Sequence, residues 1–114
     1  MNFRNFSETG PSVSEIGLGC WQLGGDWGDV DDYTAQKVLE AAVQNGINFY
    51  DTADVYGKGR SEELLHKYLK PLAPDAFIAT KLGRFPDPGN SENYTFENFR
   101  RFTENSLKRL NLDV

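Results

Sequence analysis

Short apolar segments alternate with longer amphipathic segments along this 114-residue chain. The short segments are rich in branched and aromatic residues, which favour a pleated strand, and turn-forming residues bound them. The longer segments place apolar residues at helical spacing, with polar residues on the opposite side. Predicted strands cover residues 16–20, 47–51 and 76–80, and predicted helices cover residues 31–44, 61–69 and 95–110. This β-α-β-α-β-α order favours an α/β fold with a parallel sheet.

Two further segments lie outside this alternation. Residues 3–15 form two short stretches around Gly10 and Pro11, which are adjacent turn-forming residues and predict a hairpin. Residues 83–94 are rich in proline, glycine and asparagine and predict a long loop. Loops of this length in compact folds are usually functional or mobile.

Residues near the helix ends refine the predicted boundaries. Serine and threonine side chains accept hydrogen bonds from unpaired amides of a first turn, so Ser61 and Thr95 are expected to cap the second and third helices. Glu62 is expected at the positive end of the second helix, where a carboxylate is favoured. His66, the only histidine, lies off the apolar face of this helix and is expected to be solvated.

Three polar side chains lie at or after the ends of two predicted strands. Asp51 ends the second strand, Tyr56 follows five residues later, and Lys81 follows the third strand. The carboxyl ends of parallel strands meet at one edge of a sheet, where α/β folds keep their chemistry. An ammonium favours a nearby phenolate, so Lys81 would make Tyr56 a better proton donor, and Asp51 would hold Lys81 in place. Taken singly, each residue also fits a plainer role as a strand-end cap, a surface aromatic or a solvated charge.

Composition and charge limit the classes of function. The formal net charge is −5 and no basic block is present, which argues against a nucleic-acid partner. No apolar run approaches the roughly 20 residues of a membrane-spanning helix, and the first residues lack the apolar core of a signal peptide. The single cysteine, Cys20, has no intrachain disulfide partner, and no His/Cys cluster indicates a metal site. A cytoplasmic enzyme fits these features.

Several segments resemble the aldo-keto reductase family, in the family's own order. They are residues 13–19, 46–57, 61–62, 80–81 and 106–113. The resemblance spans nearly the whole chain and implies the N-terminal part of a (β/α)8 TIM barrel, with the hairpin capping the bottom of the barrel. Since a complete barrel takes about 250 residues, residues 1–114 are expected to form a single partial domain in which the barrel is incomplete.

The resemblance implies that Asp51, Tyr56 and Lys81 belong to the family's catalytic set of Asp, Tyr, Lys and His. Tyr56 would act as the general acid that protonates the oxygen of a carbonyl substrate. The family's histidine follows the fourth strand, which this chain is expected only to begin at residues 112–114. His66 precedes Lys81 in the sequence and therefore does not fill that place.

The same resemblance implies NADP(H) as the cofactor and a small-molecule carbonyl compound as the substrate. Gly19, Cys20 and Trp21, together with Asp51, are the expected cofactor contacts within this chain. The plainer alternative is that Gly19 serves strand packing and that Cys20 is a small buried residue. Trp21 and Trp27 have large flat faces that could wall a substrate pocket, although packing in an ordered loop explains them almost as well.

The expected function is therefore NADP(H)-dependent reduction of aldehydes or ketones to alcohols. Two alternatives belong to other classes. One is a non-catalytic relative that binds nucleotide as a regulatory subunit, against which the intact set of Asp51, Tyr56 and Lys81 argues. The other is a partial barrel that is inactive by itself and associates with further copies through its open strand edges.

Overall fold

A computed structural model of the protein describes residues 1–85 and 90–113. These residues form a two-stranded hairpin, a three-stranded sheet and helices that pack against this sheet. Within the predicted loop over residues 83–94, residues 86–89 lie outside the described residues, as does Val114 of the predicted fourth strand. The order of the described elements is the predicted α/β order.

Strands β1 (Phe3–Asn5) and β2 (Ser12–Ser14) form the predicted N-terminal hairpin and are antiparallel. The ring of Phe6, in the hairpin loop, lies 5.4 Å from the Phe77 ring and 6.4 Å from the Phe49 ring, measured between centroids. Phe49 and Phe77 are the first residues of their strands. The hairpin therefore covers the amino end of the main sheet and leaves the carboxyl edge open for chemistry.

The main sheet is parallel and has the order β3-β4-β5. Its strands are β3 (Leu18–Gly19), β4 (Phe49–Asp51) and β5 (Phe77–Ala79). Tyr50 in the central strand pairs with Leu18 on one side and with Ile78 on the other. Within the described residues, β3 and β5 each have a neighbour on one side only, so the sheet is open and no barrel closes.

The predicted helices are present, with shifted ends. They are α1 (Asp32–Gln44), α2 (Arg60–Leu64) with a π-helical continuation (Leu65–Leu69), and α3 (Phe96–Leu110), besides short 3-10 turns at Trp21–Gly24 and Ser91–Asn93. Asp31 caps α1 by accepting from the Thr34 amide at 2.7 Å. Thr95 caps α3, as predicted, by accepting from the Asn98 amide at 3.2 Å. None of the described helices is both long and apolar enough to span a membrane.

The prediction that Ser61 caps the second helix is wrong. The helix begins at Arg60, after Gly59, whose φ of 97° is a conformation that glycine adopts without steric cost. Ser61 is fully buried within the first turn, where its Oγ lies 2.9 Å from Thr52 Oγ1 and donates to the Cys20 carbonyl at 2.9 Å. Its hydroxyl therefore joins α2 to the ends of β3 and β4 instead of closing the helix.

The hydrophobic core lies between the sheet and the helices. Its fully buried members include Leu39, Tyr50, Leu65 and Leu69. The Tyr50 hydroxyl donates to the Ile47 carbonyl at 2.9 Å, so the buried phenol keeps a hydrogen-bond partner. Because successive side chains of a strand point to opposite faces, Phe49 and Asp51 lie on the face away from this core.

Candidate active site

The carboxyl ends of the three parallel strands meet at one edge of the sheet. Gly19 pairs with Asp51 in the ladder, and Asp51 pairs with Ala79. Two further backbone hydrogen bonds continue the alignment beyond the strands: the Cys20 amide donates to the Asp51 carbonyl and the Thr52 amide donates to the Ala79 carbonyl, each at 2.8 Å. Residues that directly follow the strands are therefore held side by side.

Lys81 and Asp51 form an ion pair at this edge. Lys81 Nζ donates to Asp51 Oδ1 at 2.6 Å and to the Thr52 carbonyl at 2.9 Å. Partial burial lowers the pKa of Lys81, but the hydrogen bond and charge of Asp51, with a contribution from Tyr56, outweigh it and raise the pKa above 10.5. Lys81 is therefore an ammonium at neutral pH, held in place by the neighbouring strand.

Tyr56 lies beside this ion pair. Lys81 Nζ is 5.4 Å from the centroid of the Tyr56 ring. The Trp21 ring lies 6.0 Å from the Tyr56 ring, with the two planes 21° apart. The Tyr56 amide donates to the carbonyl of buried Ala53 at 3.2 Å, which fixes the turn that carries the phenol. The structure thus brings together Asp51, Tyr56 and Lys81, as the strand-end pattern predicted.

A cleft of about 320 Å³ opens next to Tyr56. Its lining residues are Trp21, Asp26, Val55, Tyr56 and Arg84. Trp21 donates from Nε1 to the Asp26 carboxylate at 3.3 Å. Trp27, predicted with Trp21 as a wall of the pocket, is not among these lining residues and is 68% exposed; its ring lies 4.3 Å from the Trp21 ring, measured between centroids. No spacing motif in the sequence pointed to Asp26, Val55 or Arg84.

The loop that carries Trp21 touches the Tyr56 turn through two glycines. A Cβ added at Gly24 would come 2.6 Å from the Gly57 amide nitrogen and 2.7 Å from the Tyr56 carbonyl carbon, so no larger residue fits without movement. Gly57 has a φ of 59°, a left-handed conformation in which a side chain is strained. The two backbones therefore pack directly against each other beside the phenol.

The residues predicted to contact the cofactor lie in different environments. Gly19 is exposed, and a Cβ there would meet nothing within 4 Å, so packing within the described residues does not explain the glycine. The Cys20 side chain is buried in the core, and burial, with a smaller effect of Asp51, raises the pKa of the thiol to about 12 against the opposing effect of Lys81. The thiol is therefore neutral, and cofactor contact by Gly19, Cys20, Trp21 and Asp51 stays a prediction.

Glu62 has a larger role than the predicted one at the helix end. It lies in the first turn of α2, as predicted, but it is 0% exposed and caps no amide. Its Oε2 accepts from Arg109 Nε of α3 at 2.6 Å, and its Oε1 accepts from Thr80 Oγ1 at 2.7 Å. Thr80 directly precedes Lys81. Glu62 therefore connects α2 and α3 to the end of β5, next to Lys81.

Asp54 is a second buried carboxyl group near the site. It is 2% exposed, and neither oxygen has a hydrogen-bond partner of standard geometry among the described residues. Burial raises the pKa of Asp54, and the charge of Glu62 adds to this effect, whereas the Val55 amide, Arg109 and Arg84 lower the pKa. The net effect is a raised pKa, so the Asp54 carboxyl group binds its proton more tightly than that of an exposed aspartate.

The remaining site predictions concern histidine and metals. His66 is exposed in the π-helical continuation of α2, as predicted for a solvated residue. Within residues 1–85 and 90–113, no group of three or more His, Cys, Asp or Glu side chains is arranged to hold a metal ion.

Comparisons with known sequences identify relatives that match nearly the whole chain. A profile of the Aldo/keto reductase family matches residues 15–114. The aldo-keto reductase YhdN of Bacillus subtilis (strain 168) is 38% identical over 119 residues, which cover 99% of this chain and 35% of that protein. The protein named probable voltage-gated potassium channel subunit beta of Oryza sativa subsp. japonica is 35% identical over 120 residues, with the same coverage of 99% and 35%.

A solved structure shows the same fold. The aldo-keto reductase of Bacillus halodurans in its holo form matches with a TM-score of 0.78 and 32% identity, covering 99% of this chain and 37% of that chain. The open sheet and its helices therefore correspond to part of a (β/α)8 barrel. The chain spans 35% of the length of the two curated relatives.

We predict that Glu62→Gln destabilises a complete barrel that carries this chain, because it leaves the partly buried Arg109 charge without its carboxylate partner. Breaking a buried ion pair in this way costs about 3–5 kcal/mol of unfolding free energy. Equilibrium urea unfolding measures the change. The matched control is Glu63→Gln, at the adjacent exposed position of the same turn. Equal unfolding free energies for the two variants would show that the buried pair is not important for stability.

Proposed function

The chain belongs to the aldo/keto reductase family, and we propose that it carries catalytic residues of an NADP(H)-dependent enzyme that reduces aldehydes or ketones to alcohols. Members of this family are oxidoreductases, and this supports the reaction class. The observation that carries the proposal is the Lys81–Asp51 ion pair, 2.6 Å long, beside Tyr56. It lies at the carboxyl edge of a parallel sheet, where barrel enzymes place their active sites.

In the proposed mechanism, Tyr56 is the general acid. Its phenol gives a proton to the carbonyl oxygen as that oxygen gains negative charge. Lys81, kept protonated by Asp51, stabilises the phenolate that remains. Positioned acid catalysis of this kind contributes ~10²–10⁴-fold to a rate. The proposed mechanism gives no role to His66. It is the only histidine of this sequence, and it lies exposed on a helix.

The residues at the edge of the sheet fit a reduced nicotinamide, which would supply the hydride that no side chain can provide. Gly19 is exposed next to Asp51, and the space where a side chain would lie is free to 4 Å. A flat ring can therefore approach the backbone there, close to the ion pair. Trp21, partly exposed beside Tyr56, would flank the cofactor and the substrate. The choice of NADP(H) over NAD(H) follows the family.

The carbonyl compound would bind in the cleft beside Tyr56. Trp21 lines this cleft, which supports its proposed substrate-binding role, whereas Trp27 would act only through its contact with the Trp21 ring. Such an aromatic wall would exclude water from the reacting oxygen. We place the enzyme in the cytoplasm, in line with the composition of the chain.

A second candidate function is regulatory nucleotide binding without turnover. The similarity to a protein named as a channel subunit favours it, at 35% identity. In that case the predicted cofactor contacts would bind a nucleotide, and no carbonyl compound would be reduced. NADPH oxidation by the complete barrel, measured with a panel of small aldehydes, separates the two functions.

We predict that Tyr56→Phe in the complete barrel abolishes carbonyl reduction and leaves NADPH affinity nearly unchanged. Only the phenolic hydroxyl differs between the two residues, and it acts on the substrate oxygen. The expected loss is roughly 10²-fold or more. Stopped-flow hydride transfer and a cofactor titration measure the two effects. Tyr33→Phe, on the exposed surface of α1, is the control. Turnover of Tyr56→Phe within a few-fold of the parent would exclude Tyr56 as the acid.

We predict that Lys81→Met lowers turnover at pH 7 by roughly tenfold or more, which is about 1.4 kcal/mol of barrier. The substitution keeps an apolar stem and removes the charge that stabilises the phenolate. Asp51→Asn is expected to give a milder defect, because it loosens Lys81 without deleting it. Lys37→Met removes a lysine that is paired with Glu40 on the surface and is the matched control. An unchanged pH–rate profile for Lys81→Met would contradict the coupling between Lys81 and Tyr56.

We also propose that the 114-residue chain, purified alone, associates with further copies and has no reductase activity. The open edges of β3 and β5 support this proposal, because unpaired strand edges are templates for pairing with another chain. Size-exclusion chromatography with light scattering is expected to show species larger than a monomer, and NADPH oxidation is expected to be absent. A monodisperse monomer with cooperative unfolding would contradict the association.

A further inference from the structure

Residues 21–31 form the tryptophan loop, which carries Trp21 and Trp27. Its own backbone hydrogen bonds are short-range: the amides of Leu23, Gly25 and Gly28 each donate to a carbonyl three residues earlier. Such turns do not fix where a loop lies relative to another element. Its position over Tyr56 therefore requires contacts from outside the loop.

One side chain supplies such contacts at both ends of the loop. The Arg60 guanidinium donates from Nη1 to the Leu23 carbonyl and from Nη2 to the Val30 carbonyl, the latter at 2.6 Å. A guanidinium is planar and rigid, and its several N–H groups can bind two acceptors at once. Arg60 therefore binds the backbone near both ends of the tryptophan loop, although it lies 30 residues or more away in sequence.

The same residue is anchored to the turn that carries Tyr56. Arg60 is the first residue of α2, and its amide donates to the Gly57 carbonyl at 3.2 Å. Gly24 of the tryptophan loop also packs directly on the backbone of Tyr56 and Gly57. A guanidinium contact and a backbone contact thus hold the loop against the turn that carries Tyr56.

A plainer role for Arg60 is to neutralise Asp32 at the start of α1. Arg60 does reach the Asp32 carboxylate, at 3.3 Å. That carboxylate is already bound more closely by Lys67 at 2.7 Å and by the Tyr68 hydroxyl at 3.0 Å. Asp32 therefore keeps two partners without Arg60, whereas among the described residues Arg60 alone donates a side-chain hydrogen bond to the carbonyls of Leu23 and Val30.

We propose that Arg60 is a positioning residue for substrate binding: its guanidinium holds the tryptophan loop against the Tyr56 turn, so that Trp21 forms the wall of the cleft. The part of this inference that concerns the substrate rests on the proposed carbonyl reduction. The part that concerns the loop rests on contacts alone. Arg60 does not touch the reacting atoms, so its loss acts on substrate binding more than on the chemical step.

The first test measures the loop without reference to activity. In the complete barrel, amide hydrogen exchange of peptides that cover residues 21–31 reports opening of the tryptophan loop. Arg60→Met is expected to speed this exchange by roughly tenfold or more, since two hydrogen bonds from a charged donor are lost. Lys67→Met is the matched control, because it removes a cation from the same carboxylate and touches no carbonyl of the loop. Equal exchange in the two variants would overturn the proposal.

The second test measures substrate binding in the same variants. Arg60→Met is expected to raise the KM for a small aldehyde by roughly tenfold, with kcat within about threefold of the parent. Arg60→Lys keeps the charge but not the planar fork, so its effect is expected to be intermediate. Added guanidinium ion is expected to lower the raised KM of Arg60→Met in part. A fall in kcat with an unchanged KM would overturn the positioning role.

The two tests separate failure of the inference from failure of the proposed function. The parent barrel could lack reductase activity while Arg60→Met still exchanges its tryptophan-loop amides faster than Lys67→Met. That result would contradict carbonyl reduction and would support the role of Arg60 in positioning the loop. If Arg60→Met does not fold, Arg60→Lys decides, because it is expected to retain the fold. An exchange rate in Arg60→Lys equal to that of the parent, together with a parental KM, would overturn the proposal.

Discussion

The ion pair between Lys81 and Asp51 joins the ends of two neighbouring strands, and the rest of the candidate site depends on it. The parallel register brings both residues to one edge, and the 2.6 Å hydrogen bond to Asp51 raises the pKa of Lys81 despite its partial burial. A lysine near a tyrosine is not specific by itself, since Lys67 Nζ lies 4.8 Å from the Tyr68 ring on the helix surface. Tyr56 differs because its lysine is fixed by a strand-end carboxylate and its ring lines a cleft.

The turn that carries Tyr56 is held from two directions. The Glu62–Arg109 pair joins α2, which follows the turn, to α3 and, through Thr80, to the end of β5. Gly24 and Arg60 hold the loop that supplies Trp21 against the same turn. These contacts fix the position of the turn that carries the phenol, and acid catalysis requires an accurate position. This arrangement also explains why a short open sheet can still present an organised site.

Much of this architecture could be predicted from the sequence. The hairpin, the three strands and the helices follow from local periodicity and turn residues, and strand ends in a parallel sheet necessarily converge, which placed Asp51 and Lys81 together. The roles of Ser61, Glu62 and Arg60 could not be predicted in this way. A serine or glutamate in a first turn has the same local pattern whether it caps the helix or is buried, and the partner that decides, Arg109, lies 47 residues after Glu62. Similarly, only the fold shows that Gly24 faces Gly57.

The central claim is that Asp51 binds the Lys81 ammonium beside Tyr56 and raises its pKa, and the titration of this ammonium tests the claim most directly. In the complete barrel with ¹³Cε-labelled lysine, NMR can follow the Lys81 ¹³Cε resonance as the pH is raised. The resonance is assigned by its loss in Lys81→Met. The account predicts that Lys81 titrates above the ordinary lysine value of 10.5, and that Asp51→Asn lowers its pKa, because burial then acts without the opposing carboxylate. A Lys81 pKa that is the same with Asp51 and with Asn at this position would contradict the account.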